Sequence, residues 1–439
     1  MSSHVPLVVY ASFTHAHSSS SSSSRNTSAS KKTMSAIVFS IGGNALAHFK
    51  PVNAITSATS ITATQTQLIA IEQTTKGNAQ SGATLHHFSH SKPSLVTRSF
   101  TPERVTSLAS AAPFVIAGGV SGVCFVWDED DGVLAAAPRC HHRKVNTVAF
   151  SPDGALFATG GDDAVVHVWS LAHVLACGAE ATPTEAAPLV TFAHHALPVT
   201  GAAFGETFPS PDGVLASVSA DRCINIHSVH AGQLLRSVRT PAPLTCVCVC
   251  ACDAVVAAGA EDGAVYVVTL VGSPSDQSGA VRLVGHPGAI RSLAAVPYRG
   301  CIVSACAGGT VRVWDVTDAA RGEHDPDTVS ATSCVSTWTH AANAAATGGS
   351  GGGGAVAAEG VECSSVLCMP CPADLRGRLS ASRVGTTTDD VTTFAAAIGG
   401  DGGGGINSNL QPFEKYSSVQ ARQNADRILL RIGACDDSD

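Results

Sequence analysis

Charged residues are scarce in this sequence. They make up 14% of its 439 residues, whereas an average globular chain has about 25%. Basic residues are also outnumbered, because 26 Lys and Arg stand against 34 Asp and Glu. This balance excludes a polyelectrolyte tail protein and a charged coiled coil. It also argues against a protein that grips nucleic acid mainly by neutralising phosphates over a basic surface.

Aromatic residues and long apolar runs are few as well. Aromatics reach only 5% while apolar residues reach 44%, so a core must be built largely from Ala, Val, Leu and Cys. The longest apolar run, Leu244 to Ala260, is interrupted by Thr245 and Asp253. It falls short of the roughly 20 residues that a membrane span needs and favours a buried pair of strands. The N-terminal stretch has no basic segment before its short apolar run, so no secretory signal is predicted.

The cysteines do not form a disulfide framework. Their number, 15, is odd, and most lie in apolar runs, which is typical of a reducing compartment. Four of them alternate along one predicted strand and so share one face: Cys246, Cys248, Cys250 and Cys252. A single strand spreads four such thiols over about 20 Å, too far for one zinc ion, so core packing is the favoured interpretation. Cys363 and the pair Cys368 and Cys371 leave a metal or redox role open.

Low-complexity segments divide the chain. A Ser-rich segment covers residues 17–32 and a Gly-rich segment covers residues 346–356. Such compositions have little to bury and favour flexible loops. We predict one domain over residues 1–398 that contains both loops, followed by a flexible Gly-rich linker and short tail over residues 399–439.

Five segments between about residues 102 and 316 repeat one pattern. Each has a strand of small residues, a tight turn with Asp or Gly, and an alternating strand that ends in an anchor residue. The anchors are Trp127, Trp169, His227, Val268 and Trp314, at spacings of 42, 58, 41 and 46 residues. A histidine opens three of the units, four residues before an aliphatic position: His141, His195 and His286.

These features resemble the WD repeat, whose unit is one four-stranded propeller blade. The period near 42 residues, the opening His, the turn FSPDG at Phe150 to Gly154 and the closing Trp-Asp carry the resemblance. It implies an all-β, WD40-type β-propeller, and we expect seven blades of four antiparallel strands. No cofactor or metal is expected.

The order of the segments is similar to one family of WD-repeat proteins. The telling features are Ser121 where most blades have Asp, the run Leu197-Pro198-Val199-Thr200 after His195, and Leu410, Gln411, Pro412 and Phe413 near the end. The family consists of WD-repeat subunits of a complex that processes the internal transcribed spacer of pre-rRNA during large-ribosomal-subunit assembly.

This resemblance implies a non-enzymatic scaffold in the nucleus, nucleolus and nucleoplasm. Its implied partners are helical-repeat scaffold subunits and an AAA ATPase on the same particle, with self-association as a further expectation. RNA contact is expected to be indirect, and no membrane is involved. Residues 410–413 are a candidate partner-docking segment.

The repeat pattern also predicts a network of side chains. In a WD repeat, the opening His donates to the turn Asp, which pairs His141 with Asp163 and His195 with Asp221. Asp262 lacks an opening His, and Gly308 stands where His286 needs its Asp. A catalytic dyad is the alternative, but no nucleophile is seen beside these residues in the sequence. Trp127, Trp169 and Trp314 are predicted to pack between sheets, with a ligand-binding aromatic box as the alternative.

Other functions remain open from the sequence. A substrate receptor of a ubiquitin ligase is the main alternative, although the Trp-Asp-x-Arg ending of such receptors is missing after Trp127 and Trp314. A hydrolase site at the propeller centre is a third hypothesis, which lacks clustered carboxylates. The tail from Tyr416 to Ile432 could form an amphipathic helix that packs on the propeller or on a partner.

Overall fold

The computed structural model describes most of the repeat region and parts of both flanks. The described residues are 7–16, 32–40, 45–49, 58–64, 67–73, 82–90, 95–129, 132–177, 186–210, 213–250, 253–270, 280–297, 300–316, 334–339, 361–370 and 372. Leu410 to Phe413, Cys371, Cys252, the Gly-rich segment, residues 17–31 and the predicted tail lie outside these ranges.

The described residues form seven four-stranded antiparallel sheets, which we number I to VII. Sheet I has β1 (Leu7–Ala16), β2 (Lys32–Ser40), β3 (Ala45–Phe49) and β28 (Val361–Pro370). Sheet II has β4 (Ala58–Ala63), β5 (Gln67–Gln73), β6 (Ala83–Ser89) and β7 (Leu95–Phe100). Sheet III has β8 (Val105–Ala111), β9 (Phe114–Gly119), β10 (Cys124–Asp128) and β11 (Leu134–Ala136).

The remaining four sheets follow in chain order. Sheet IV has β12 (Val145–Phe150), β13 (Leu156–Gly161), β14 (Val166–Ser170) and β15 (Val190–Phe192). Sheet V has β16 (Val199–Phe204), β17 (Val214–Ser219), β18 (Cys223–Ser228) and β19 (Gln233–Arg239). Sheet VI has β20 (Leu244–Cys250), β21 (Val255–Ala260), β22 (Val265–Thr269) and β23 (Val281–Leu283). Sheet VII has β24 (Ile290–Ala295), β25 (Cys301–Cys306), β26 (Thr310–Asp315) and β27 (Cys334–Thr339).

The sheets are arranged in a ring. The innermost strand of each sheet contacts the innermost strands of both neighbours: β4 with β8, then β12, β16, β20, β24, β28 and again β4. The hydrophobic core lies between the sheets, with one buried cluster at each junction. This arrangement confirms the predicted all-β, WD40-type propeller, because a sheet whose two faces both meet neighbours hides apolar side chains on both.

Sheet I joins the two ends of the repeat region. Its central strand β1 pairs antiparallel with β2 on one side and with β28 on the other, where Val9 faces Cys368 and Val8 faces Met369. The hydroxyl groups of Ser12 and Ser364 lie 2.7 Å apart across this pairing. Three N-terminal strands and one C-terminal strand therefore complete a single sheet.

The longest apolar run, the start of β2 and a short helix relate the sequence to the observed strands. The run from Leu244 to Ala260 forms the antiparallel pair β20 and β21, as predicted. Strand β2 begins at Lys32, directly at the end of the Ser-rich segment. The helix α1 (Leu171–Cys177) was not predicted; it buries Leu171, Ala172 and Val174. Leu171 and Val174 join the apolar cluster between sheets III and IV.

Candidate functional site

The predicted His and Asp residues gather at one end of the sheets. In sheets III to VII, the first strand begins, the second ends, the third begins and the fourth ends at this same end, because neighbouring strands run antiparallel. We call this end the His–Asp rim. It consists of the turns between the second and third strands and of the connections that enter each first strand.

Sheet IV carries a complete chain of four polar side chains. Nδ1 of His141 lies 3.0 Å from a carboxylate oxygen of Asp163, and its Nε2 lies 2.8 Å from the hydroxyl of Thr159. That hydroxyl accepts a hydrogen bond of 3.0 Å from the indole N–H of Trp169. With His141 neutral, Trp169 donates to Thr159, Thr159 to His141 and His141 to Asp163, so every buried polar group is satisfied.

Sheet V repeats this chain with a histidine in place of the tryptophan. His195 lies 3.0 Å from Asp221 through Nδ1 and 2.9 Å from the hydroxyl of Ser217 through Nε2. Nε2 of His227 lies 3.0 Å from the same hydroxyl. His227 also stacks on Phe192 with ring centroids 4.3 Å apart. The anchor position therefore keeps both its N–H donor and its aromatic contact without a Trp.

In sheet VII, a hydroxyl group takes the place of the missing Asp. Trp314 donates to Ser304 at 2.7 Å, and Nε2 of His286 lies 2.5 Å from that hydroxyl. Nδ1 of His286 lies 3.1 Å from the hydroxyl of Thr310, a residue two positions beyond the Gly308 that the repeat pattern pointed to. A neutral hydroxyl thus substitutes for the carboxylate, so the network that looked half-built from the sequence is satisfied.

Sheets III and VI have no rim histidine. In sheet III the carboxylate of Glu103 accepts from the hydroxyl of Ser121 at 2.7 Å. In sheet VI, Asp262 accepts from Tyr266 and from Arg282, both at 3.0 Å. Each rim turn is therefore held by a carboxylate or hydroxyl, although the residue that supplies it changes from sheet to sheet.

Burial and these hydrogen bonds set the protonation of the rim. Burial alone would raise the pKa of Asp163, but hydrogen bonds from His141 and from the amides of Val165 and His142 outweigh it and lower that pKa. The pKa of His286 falls to about 4 because of burial and the nearby Arg312. Burial and the neighbouring His194 and His195 lower the pKa of His227 to about 3. Asp163 is thus ionised and these two imidazoles are neutral at pH 7.

The hydroxyls Thr159, Ser217 and Ser304 are the residues that sequence reasoning missed. Each lies ten positions before the anchor of its own sheet, so a constant offset from the anchor would have found them. Together with His and Asp, Thr159 and Ser217 have the order of partners of a hydrolytic triad. The expectation that no nucleophile stands beside these histidines is therefore wrong. Both residues have 0% exposure, so their hydroxyls are closed to solvent in this structure and bridge the side chains around them.

The predicted anchors lie between sheets. Trp127 joins the cluster between sheets II and III, Trp169 that between III and IV, and Trp314 that between VI and VII. All are at most 7% exposed. Rings buried in this way are not available to stack on a ligand from solvent. At the fifth anchor, Val268 is buried and Tyr266 supplies the aromatic surface of the junction.

The described cysteines of β20 lie on one face, as predicted. Cys246, Cys248 and Cys250 belong to the junction between sheets VI and VII, whereas Val247 and Val249 face the junction between V and VI. Burial raises the pKa of Cys246 to about 12 and raises the pKa of Cys248 and Cys250 as well. These thiols remain protonated and behave as small apolar side chains. Cys363 is buried in β28, and burial raises its pKa too.

A second set of side chains links neighbouring sheets near the rim. The residue after the first residue of an inner strand donates to the first carbonyl of the next inner strand. The donors are Thr106 to Val145, Asn146 to Val199, Thr200 to Leu244 and Thr245 to Ile290. We call these four hydrogen bonds the inter-sheet belt. They fix the spacing of the inner strands in sheets III to VII.

Within the described ranges, no group of three or more His, Cys, Asp or Glu side chains has an arrangement that could hold a metal ion. No helix in this part of the chain has the length and hydropathy needed to cross a bilayer.

Known proteins share this repeat organisation. The family "WD domain, G-beta repeat" matches residues 134–170 and 279–315. WD repeat-containing protein 18 of Homo sapiens is 28% identical over 234 residues, which are 51% of this chain and 53% of the human protein. Pre-rRNA-processing protein IPI3 of Yarrowia lipolytica is 29% identical over 252 residues, 54% of this chain and 57% of the yeast protein.

A plant protein shows a longer match. Protein ROOT INITIATION DEFECTIVE 3 of Arabidopsis thaliana is 25% identical over 272 residues, 61% of this chain and 60% of the plant protein. The chain thus spans between one half and two thirds of the length of the relatives it matches. It contains WD40 repeats and is homologous, at modest identity over about half its length, to WD repeat-containing protein 18 and to the pre-rRNA-processing proteins IPI3.

Proposed function

We propose that this chain is a non-enzymatic scaffold subunit of a nuclear complex that assembles the large ribosomal subunit. Within that complex it would support the processing of the internal transcribed spacer of pre-rRNA. The observation that carries the proposal is the homology to proteins named for pre-rRNA processing, together with the repeats that it shares with them.

The geometry supports a scaffold role. The histidines, carboxylates and hydroxyls of the rim form hydrogen bonds with one another within their own sheets. The apolar side chains between sheets bind each sheet to its two neighbours. Such a ring presents its connections at fixed relative positions, which suits a protein that holds several partners at once.

The proposed partners and location follow from the same family. We expect helical-repeat scaffold subunits as direct partners and an AAA ATPase on the same particle, in the nucleolus and nucleoplasm. Self-association is proposed as well. Leu410 to Phe413 stay a candidate docking segment.

Co-purification tests this proposal. The full chain would be tagged in cells that express it, isolated from nuclei and the bound proteins identified by mass spectrometry, with an unrelated tagged propeller as control. We expect pre-ribosomal proteins and a helical-repeat subunit to be enriched over the control. Depletion of the chain should also lengthen the lifetime of spacer-containing pre-rRNA on northern blots. Recovery of a cullin-type ubiquitin ligase instead of pre-ribosomal proteins would overturn the proposal in favour of the ligase-receptor hypothesis.

A further inference from the structure

A basic cluster lies on the His–Asp rim between sheets III and IV. The segment from Arg139 to Lys144, which enters β12, has the sequence RCHHRK, with three permanent cations and no carboxylate. This contrasts with the whole chain, where acids outnumber bases by 34 to 26. We call Arg139, Arg143 and Lys144 the basic rim patch.

The backbone under the patch is tightly positioned. Arg139 forms a β-bridge with Val123, and the amide of His141 donates to the carbonyl of Gly122 at 3.0 Å. Gly122 has a φ of +93°, and a Cβ added there would lie 2.1 Å from the carbonyl oxygen of His141 and 2.7 Å from that of Arg143. The turn of sheet III is thus nested against the segment that carries the cations, which limits the conformational entropy lost when a ligand binds.

The histidine network secures the other side of the patch. His141 points inward to Thr159 and Asp163, while the amide of His142 donates to Asp163 at 3.3 Å. The flanking residues are thereby left on the surface: Arg139 and Arg143 are exposed and Lys144 is half-buried. Within the described part of the chain, these three cations form no ion pair. Of the nearby carboxylates, Asp163 is hydrogen-bonded to His141, Glu103 to Ser121, and Asp162, whose amide donates to the carbonyl of Lys144, to Asn146.

The chemistry of this surface fits a phosphate chain. Arginine presents a fork of N–H donors that matches phosphate oxygens in two-point contacts, and lysine adds a point charge. The segment has no Trp, Tyr or Phe, whereas protein interfaces concentrate much of their binding energy in anchors packed in apolar pockets. A surface strip of cations without these large rings favours a ligand that is recognised by charge.

We propose that the basic rim patch binds the phosphate backbone of single-stranded RNA. The choice of RNA rests on the proposed function, in which the chain works on a pre-rRNA particle. The contact is local, independent of base sequence and weak on its own, and it replaces the expectation that RNA contact is only indirect. Three phosphates neutralised on a single strand correspond to a slope of about −2 in a plot of log affinity against log salt concentration.

Fluorescence anisotropy with the full chain tests the patch. The probe is a fluorescein-labelled single-stranded RNA of mixed sequence, titrated at salt concentrations between roughly 50 and 200 mM. Replacement of all three cations (R139Q, R143Q and K144Q) should weaken binding at low salt about tenfold and flatten the salt slope. The variant R139K, R143K and K144R keeps the charge and should keep most of the affinity.

A matched control removes three cations from other sheets. The control variant carries R98Q, R222Q and R239Q, in sheets II and V, and should bind RNA as the unmodified chain does. Circular dichroism would show that all variants fold. Equal RNA affinity of the patch variant and the control would overturn the inference, as would undetectable binding by the unmodified chain. Loss of a co-purified protein by the patch variant with RNA binding intact would assign the patch to an acidic protein segment instead.

The outcome is separable from that of the proposed function. RNA binding is measured on the purified chain, whereas the proposed function is tested by proteins recovered from nuclei. Recovery of pre-ribosomal proteins by a patch variant with unchanged RNA affinity would reject the patch and leave the scaffold role standing.

Discussion

At the scale of single residues, a hydroxyl group is the centre of each rim network that contains a histidine. Thr159 connects an imidazole to an indole inside sheet IV, as Ser304 does in sheet VII, and Ser217 connects two imidazoles in sheet V. A buried hydroxyl that both donates and accepts cannot be removed without leaving two ring nitrogens unpaired. These side chains should therefore matter more to stability than their small size suggests.

The substitution Thr159→Val tests this role. Valine keeps the shape of threonine but leaves Trp169 Nε1 and His141 Nε2 without a partner, so the free energy of unfolding should fall by about 1–3 kcal/mol. Urea denaturation followed by tryptophan fluorescence would measure it. Thr97→Val, on the exposed face of β7, is the matched control and should change stability by no more than about 0.5 kcal/mol. Equal effects of the two substitutions would contradict the network.

The buried histidines make stability depend on pH in a defined direction. His227 has a pKa of about 3 in the folded chain because of burial and its neighbours His194 and His195, against about 6.5 when unfolded. Since the unfolded chain binds the proton more readily, the stabilisation is complete above pH 6.5. It is lost as the pH falls from there toward the folded value, by at most about 1.4 kcal/mol per pH unit.

We therefore expect the urea midpoint to fall between pH 7 and pH 4.5, and to fall less steeply in the variant His227→Gln. Glutamine retains an N–H donor for Ser217 but does not titrate. His230→Gln removes an exposed imidazole three positions away and should leave the slope unchanged. If the slope of the His227 variant equals that of the unmodified chain, His227 is not held neutral by the fold.

At the scale of elements, the inter-sheet belt explains how neighbouring sheets keep their register. Thr245 of β20 donates to the carbonyl of Ile290 in β24 at 2.7 Å. The other three belt residues likewise each donate to the first carbonyl of the next inner strand. Apolar contacts alone are non-directional. A hydrogen bond from a fixed position of each inner strand adds the directional constraint.

The substitution Thr245→Val should lower the free energy of unfolding by about 1 kcal/mol, the usual net contribution of one hydrogen bond. Hydrogen exchange should in addition be faster in β24 of this variant, because that strand loses its fixed partner. Thr97→Val again serves as control, and its β24 amides should exchange at the unmodified rate. Slower hydrogen exchange of the β24 amides in the Thr245 variant would mean instead that the belt hydrogen bond strains the sheets.

The sequence was informative where the repeat was regular. His141, Asp163 and Trp169 stand at repeat positions, and the structure places them in one network. Prediction failed where one chemical group replaced another. Thr310 takes the place of an Asp beside His286, and Glu103 with Ser121 holds a turn without any His. A hydroxyl or carboxylate that reaches the same point in space from another position leaves no repeat signature.

The strands before the five visible repeats were harder still to predict from the sequence. Strands β1 to β7 carry none of the anchors that marked the five visible repeats, yet they form sheet II and three quarters of sheet I. The pairing of β1 leaves no local signal in the sequence, since its partner β28 lies more than 340 residues away.

At the scale of the whole molecule, closure of the ring is what makes a rigid scaffold from sheets that each contact only their neighbours. An open row of sheets would expose the apolar faces of its first and last members, whereas a closed ring covers them. Here the closing sheet takes β1 to β3 from one end of the repeat region and β28 from the other. The proposed scaffold role and the fixed rim both depend on this closure.

A disulfide between β1 and β28 measures closure most directly. In the double variant S12C and S364C, the new thiols would occupy positions whose hydroxyls lie 2.7 Å apart, so mild oxidation should join them, and peptide mapping by mass spectrometry should identify the link. The control pair S12C and S110C places the second thiol in sheet III and should give no such link. The account predicts rapid cross-linking of residues 12 and 364 in the folded monomer. If residues 12 and 364 cross-link no more than the control pair does, the closed ring is contradicted.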